Sequence, residues 1–196
     1  MKKTLALLAA CCLLLAAGCR VQVNKNSNGN EKNVKIDTPF GGLHVRSGNT
    51  TAADVGLPVY PGATIAPDRD GDKSANVHMG FGEFQLTVKV VNYQSSDSQD
   101  KVLAFYQKAL GRYGEVIRCK DNQPVGTPAV TQEGLTCSGG DHHSHVQVSG
   151  NISLKAGSRH HQHMVAIEDK SGPGTRFALI ELELPESADN QSSKSE

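Results

Sequence analysis

The chain has no excess of charge of either sign. Its 20 lysines and arginines balance 20 aspartates and glutamates. Lys2 and Lys3 belong to the N-terminal segment 1–18, so the remainder of the chain carries 18 basic and 20 acidic side chains. It contains neither a basic stripe nor an acidic block, and we therefore predict that nucleic acids and polycations are not partners.

Catalytic motifs are also missing. The sequence contains no HExxH, no GxSxG and no P-loop. Gly80-Phe81-Gly82 begins a GxG pattern, but a third glycine does not follow and the next segment is a predicted strand. We therefore predict that the protein is not an enzyme, and we expect no cofactor.

No apolar run has the length that a transmembrane helix normally needs to span a bilayer. The run from Leu5 to Ala17 is broken only by Cys11 and Cys12, and a spanning helix needs roughly 20 apolar residues. Two lysines precede this run and small residues follow it, a pattern typical of secretory signal peptides. Residues 1–18 are therefore predicted to be a signal peptide.

The end of this segment, Ala16-Ala17-Gly18-Cys19, resembles the lipobox of bacterial lipoproteins, Leu-(Ala/Ser)-(Gly/Ala)-Cys. Ala16 stands where leucine is usual. The resemblance implies cleavage before Cys19, a diacylglycerol on its sulfur and a further acyl chain on the new amino terminus. Two or more chains anchor a protein stably to a membrane. The alternative is an ordinary secretory signal, which would leave Cys19 as a free thiol.

The residue after the lipidation site indicates the destination. Arg20 follows Cys19, and by resemblance to sorted lipoproteins the absence of aspartate there implies the outer membrane, with the protein facing the periplasm. The expected partners are the membrane, through the lipid anchor, and an envelope protein.

The remaining cysteines predict a disulfide. Of five cysteines, Cys11 and Cys12 leave with the signal peptide and Cys19 carries lipid, so Cys119 and Cys137 form a pair. A disulfide between them would close a loop of about 18 residues and stabilise the folded state by on the order of 3 kcal/mol in the chain-entropy model. A thiolate metal site would need another soft ligand nearby, and neither cysteine belongs to a CxxC pair.

Composition divides the exported chain into three parts. Residues 19–33 comprise the lipidated cysteine and a segment rich in asparagine and lysine, which predicts a flexible tether. Residues 34–184 have the length of one domain. Residues 185–196 lack apolar periodicity and are predicted to be a disordered tail.

Apolar residues alternate with polar ones in most of the domain, which predicts a mainly antiparallel sheet. The predicted strands are a hairpin around residues 39–42 and the runs 75–81, 84–91, 115–119, 146–154, 163–168 and 176–184.

One segment has the helical period instead. Its apolar residues recur at i, i+3, i+4, i+7 and i+8, on one face of a helix; they are Val102, Phe105, Tyr106, Ala109 and Leu110. Ser96 and Gln99 are spaced as a capping box. A single amphipathic helix packed on one face of an antiparallel sheet gives an α+β fold, with Phe105 and Tyr106 in its core.

Two motifs carry a further resemblance. The loop GLPVYPGA at residues 56–63 and the helix DKVLAFYQKALGRYG at residues 100–114 are similar to a recurrent class of uncharacterised bacterial secreted and lipoprotein domains. That class has a PxYPGA loop followed by a KVxxFYxxxL helix. The resemblance implies a fold and an envelope location, and it supplies no activity or catalytic residues to carry over.

Histidines form two clusters, DHHSH at residues 141–145 and RHHQH at residues 159–163. Residues two apart on a strand face the same side, about 6.6 Å apart. His143 with His145, and His161 with His163, are therefore candidate ligand pairs for zinc, copper or nickel. Each pair lacks an obvious third ligand, apart from an aspartate beside the first.

We expect these pairs to lie far apart. A hairpin that turns near residues 156–158 would place His161 opposite Ile152 and His145 opposite Glu168, so that about 23 Å separates the clusters. Metal binding would then be weak and divided between two sites. The alternative is that these histidines are merely solvated polar positions in loops or on the sheet. His44 and His78 are isolated, and we assign them no role.

The sequence thus favours a membrane-anchored envelope lipoprotein that acts as a non-catalytic structural or interaction module. The alternative is a zinc- or copper-binding periplasmic lipoprotein that uses the histidine clusters.

Overall fold

The computed structural model describes residues 19–25, 32–67, 71–137, 152–168 and 173–185. These residues form one open antiparallel sheet with a single α-helix, which confirms the predicted mainly antiparallel fold. The predicted signal peptide, the tail after residue 185, and His143 and His145 lie outside the described residues. No helix in the described ranges is long and apolar enough to cross a bilayer.

The described residues contribute eleven strands to the sheet. Their bounds are β1 (Arg20–Lys25), β2 (Lys32–Thr38), β3 (Gly41–Ser47), β4 (Thr64–Ile65), β5 (Ser74–Phe81), β6 (Phe84–Ser95), β7 (Ile117–Lys120), β8 (Gln123–Pro124), β9 (Ile152–Gly157), β10 (His161–Ile167) and β11 (Thr175–Glu183). The spatial order is β1-β2-β3-β5-β6-β11-β10-β9-β7-β8, and the short β4 pairs with β6.

The hairpins follow the apolar alternation of the sequence. In the β2–β3 hairpin Val34 pairs with Val45 and Ile36 pairs with Leu43. In the β5–β6 hairpin two turn residues join the strands, and Gly82 has a positive φ of 58°, a conformation that glycine adopts without steric cost. These pairings confirm the predicted strands in this half of the sheet.

Part of the predicted tether is a strand. Residues 20–25 form β1, which pairs over its whole length with β2. The reason is that Arg20-Val21-Gln22-Val23 alternates like a strand, and β2 has a free edge whose backbone groups require partners. The expectation of a flexible coil was wrong for these six residues.

The helix α1 covers Gln99–Leu110, as its period predicts. The predicted capping box is wrong, because Ser98 occupies the N-cap and its side chain makes no capping bond. Instead, the carbonyl oxygen of Ser98 accepts hydrogen bonds from the backbone of Lys101 and Val102. A 3-10 turn extends α1 until Gly114, whose φ of 125° ends it.

The main core lies between α1 and one face of the sheet, which we call the helix face. Sheet residues such as Val91, Leu179 and Val165 pack there against Val102 and Tyr106 of α1. Phe177 is fully buried among the rings of three tyrosines, and burial of such a side chain is worth roughly 1.5–3 kcal/mol.

The opposite face of the sheet, which we call the second face, is also apolar. Met164, Ile180 and Val90 pair across β10, β11 and β6 on this face. A small third cluster lies beside it, and its members are Ile117, Cys119, Leu135 and Cys137. The predicted disulfide joins Cys119 to Cys137 within that cluster.

Candidate metal centre

Charged side chains and histidines continue the helix face beyond the part that α1 covers. Across β6, β11 and β10, Lys89 pairs with Glu181 and Glu181 pairs with His163. Two residues along, Glu183 pairs with His161. Because alternate residues share a face, these five side chains form one polar patch.

Three members of this patch converge on one point. His161, His163 and Glu181 each present a ligand atom, and these atoms lie within 4.8 Å of one another. His161 Nε2 is 2.8 Å from Glu181 Oε1. Two imidazole nitrogens and one carboxylate oxygen are a donor set that suits zinc or copper. We call these three residues the His-His-Glu cluster.

The backbone fixes the tautomer of His163. Its Nδ1 lies 3.0 Å from the carbonyl oxygen of Val55, so Nδ1 carries a proton and donates to that oxygen. The lone pair then resides on Nε2, as in most histidines that bind a metal. His163 is 3% exposed, and this burial lowers the pKa of its imidazole, which favours the neutral form.

The 3-10 turn after α1 and the loop around Gly56 cover His163. The ring of Tyr113, in the 3-10 turn, stacks on the imidazole with 3.6 Å between the ring centroids. The Tyr113 hydroxyl donates to the carbonyl oxygen of Gly56 in the loop. Gly56 has a φ of +75°, and a Cβ at this position would lie 2.5 Å from the Tyr113 oxygen. The loop therefore requires glycine there to approach the site this closely.

Glu181 is held from both sides. Lys89 Nζ lies 2.7 Å from its Oε2, while His161 occupies its Oε1. Burial by itself would raise the pKa of the Glu181 carboxyl, but hydrogen bonds from Lys89 and His161 outweigh that effect, and the pKa is lowered. The hydrogen bond to Glu181 raises the pKa of Lys89. Glu181 is thus a carboxylate, whose partner Lys89 competes with any bound cation.

The polar patch extends toward the other edge of the sheet. His44 and His78, which the sequence leaves isolated, pair between β3 and β5 with 6.4 Å between ring centroids. His44 Nε2 is 3.3 Å from Asp37 Oδ1, and His78 Nδ1 is 3.2 Å from the hydroxyl of Thr87. Among the described residues, neither imidazole belongs to a group of three candidate ligands.

The predicted hairpin has a different register. His161 was expected opposite Ile152, but Ile152 pairs with Ile167, and His163 pairs with Ala156. Gly157, with a φ of 108°, is the last residue of β9, and the backbone nitrogen of Ser158 donates across the turn to the carbonyl oxygen of His161. The turn therefore falls at residues 158–160. The predicted distance between the histidine clusters involves His143 and His145, which lie outside the described residues.

His161 and His163 do lie on one face, as the strand spacing predicts. Their exposure differs, since the His161 side chain is half-exposed whereas His163 is buried. The alternative, that these histidines are merely solvated polar positions, therefore fits His161 and is wrong for His163. The sequence analysis did not predict Glu181 as a ligand, although Glu181 and Glu183 alternate with leucines in a run predicted as a strand. That alternation was a usable signal for two acidic groups on one face.

Comparison with known proteins found no match among protein-family models, curated sequences or solved structures. The resemblances to the lipobox and to the PxYPGA class therefore stay predictions.

Proposed function

We propose that the protein is a membrane-anchored envelope lipoprotein whose single α+β domain acts as a non-catalytic structural or interaction module. The distribution of the cysteines supports this proposal. Cys119 and Cys137 form a disulfide, whereas Cys19 is exposed directly before β1. Disulfides persist in exported proteins, and an exported cysteine left unpaired is explained if its sulfur carries lipid.

The proposed location is the outer membrane, with the domain in the periplasm, because Arg20 rather than aspartate follows Cys19. The partner class that this location favours is another envelope protein. The near balance of acidic and basic residues supports the exclusion of nucleic acid.

Mass spectrometry of the amino-terminal peptide tests the anchor. We expect the native protein to begin at a Cys19 that carries three acyl chains and to stay in the membrane fraction. Cys19→Ser should leave an uncleaved or soluble precursor. The double variant Cys119→Ser/Cys137→Ser is the matched control, since it removes the two disulfide-bonded cysteines and should keep the lipid. An unmodified amino terminus in the native protein would refute the anchor.

Binding of zinc or copper is a second candidate function, and the His-His-Glu cluster favours it. Glu181 supplies the third ligand, and Val55 orients His163 as a metal-bound histidine is oriented. Because Lys89 already pairs with Glu181, we expect the affinity to be weak.

Calorimetric titration of the protein with zinc or copper tests this second function. His161→Gln/His163→Gln should abolish the heat of binding at this site, whereas the control His143→Gln/His145→Gln should leave it nearly intact. A single tight site lost in both double variants would instead mean that the two clusters share one ion. An absence of heat would leave the interaction module as the proposed function.

A further inference from the structure

Most phenylalanines of this protein are exposed at one end of the sheet. The chain has five phenylalanines, and only Phe105 and Phe177 belong to the core. Phe40, Phe81 and Phe84 are 84%, 45% and 40% exposed. They lie at the β2–β3 and β5–β6 turns. We call these three residues the aromatic rim.

The strand register places Cys19 at the same end of the sheet. Arg20 pairs with Asp37, which pairs with Gly42 in β3. One residue closer to the end of the sheet, the next row of paired residues consists of Thr38, Gly41, Phe81 and Phe84. Cys19 precedes Arg20 in the chain, so Cys19 lies beside this last row. Three strand spacings, or about 14 Å, separate β1 from β5.

The rim continues an apolar row on the second face. Alternation puts Phe81 and Phe84 on that face, and the adjoining row crosses five strands. Its members are Val21, Ile36, Leu43, Met79 and Leu86. Val21, two residues after Cys19, is 59% exposed. Exposed apolar groups that are contiguous in this way mark interaction sites.

We propose that the aromatic rim is a membrane-docking edge that inserts into the bilayer holding the acyl chains of Cys19. The proposal rests on the proposed lipid anchor, which brings this end of the sheet to the lipid. Acyl chains are the occupant that the geometry favours, because an anchor about 14 Å from β5, at the same end of the sheet, keeps the three rings at the bilayer surface. Glu83 at the β5–β6 turn is charged and limits the rim to a shallow, interfacial depth.

Docking fixes the orientation of the domain. Ile65 in β4 pairs with Tyr93 near the far end of β6, nine residues from Phe84 and hence about 30 Å away. The helix α1 packs toward that far end, against Tyr93 and Phe177. A docked rim therefore turns α1 away from the membrane.

The absence of tryptophan from the chain makes a single-tryptophan experiment possible. Phe40→Trp in the full lipidated protein would be reconstituted into phosphatidylethanolamine and phosphatidylglycerol vesicles that contain brominated acyl chains. We expect a blue shift and a loss of fluorescence by bromine quenching. Ile65→Trp is the matched control, because Ile65 is 50% exposed but lies at the opposite end, and it should stay unquenched. Phe84→Trp provides a second reporter should Phe40→Trp disturb its turn.

Each outcome decides the inference. Quenching at Phe40 and Phe84 but not at Ile65 supports the docking edge. If the protein floats with the vesicles and neither rim reporter is quenched, or all three are quenched equally, the docking edge is refuted while the anchor stands. If mass spectrometry finds no lipid on Cys19, the anchor is refuted, and the docking edge that rests on it is refuted with it.

Discussion

His163 donates a hydrogen bond from Nδ1 to the carbonyl oxygen of Val55, a residue 108 positions earlier in the chain. This contact joins the loop before β4 to strand β10, and it holds a buried imidazole in the neutral form. The bond has consequences for both stability and metal binding.

The buried imidazole predicts a loss of stability in mild acid. A histidine in the unfolded chain titrates near 6.5, whereas burial lowers the pKa of His163 in the folded protein. As pH falls below about 6.5, the unfolded state binds the proton first. The free energy of unfolding should therefore decrease down to the folded-state pKa, with a slope of at most about 1.4 kcal/mol per pH unit.

Chemical denaturation between pH 8 and 5 checks this dependence. His163→Gln should flatten the part of the curve due to this group, while His78→Gln, at an exposed strand position, should reproduce the native curve. Parallel curves for the native protein and His163→Gln would mean that folding does not lower the pKa of His163.

Glu181 should be the carboxylate that matters for metal. Glu181→Gln keeps the size of the side chain but removes the charged ligand, so zinc affinity should fall by about tenfold or more. Glu183→Gln is the control, since Glu183 Oε1 lies 4.0 Å from His161 Nε2 and its side chain is half-exposed. Calorimetry of both variants gives the comparison. Equal affinities would exclude Glu181 as a ligand.

Local patterns in the sequence predicted most of the fold. Alternation in Val34, Ile36, Leu43 and Val45 is sufficient to identify a hairpin, because each pair lies on the same face of two adjacent strands. The helical period of α1 was equally informative. The disulfide followed from counting cysteines in a chain predicted to be exported.

Contacts between distant segments were not predictable in this way. The bond from His163 to Val55 depends on a loop that Gly56 lets approach the sheet, and no periodicity encodes it. Glu181 joins the cluster only because β11 pairs with β10 in one particular register. The predicted register of the β9–β10 hairpin was wrong, because alternation does not mark the end of a strand and the turn lies beyond Gly157, at residues 158–160.

The disulfide should contribute measurably to stability. Cys119 and Cys137 are 18 residues apart, and a disulfide that closes a loop of this length stabilises the folded state by about 3 kcal/mol. Cys119→Ala/Cys137→Ala should lower the free energy of unfolding by about that amount in urea. Thiol labelling of the unsubstituted protein, denatured without a reducing agent, should modify neither residue. Full labelling of both residues would refute the bond.

The buried hydroxyl of Tyr106 should stabilise the contact between α1 and the PxYPGA loop. It donates to the carbonyl oxygen of Pro58 and accepts from the backbone nitrogen of Tyr60, both at 3.1 Å. Tyr106 is fully buried, so Tyr106→Phe leaves the Tyr60 N–H without a partner, which costs about 1–3 kcal/mol. Tyr60→Phe is the matched control. It removes only a partly buried bond to Asp97 and should cost less. Urea denaturation of both variants measures the difference, and an equal or smaller cost for Tyr106→Phe would mean that its hydroxyl does not hold the loop to the helix.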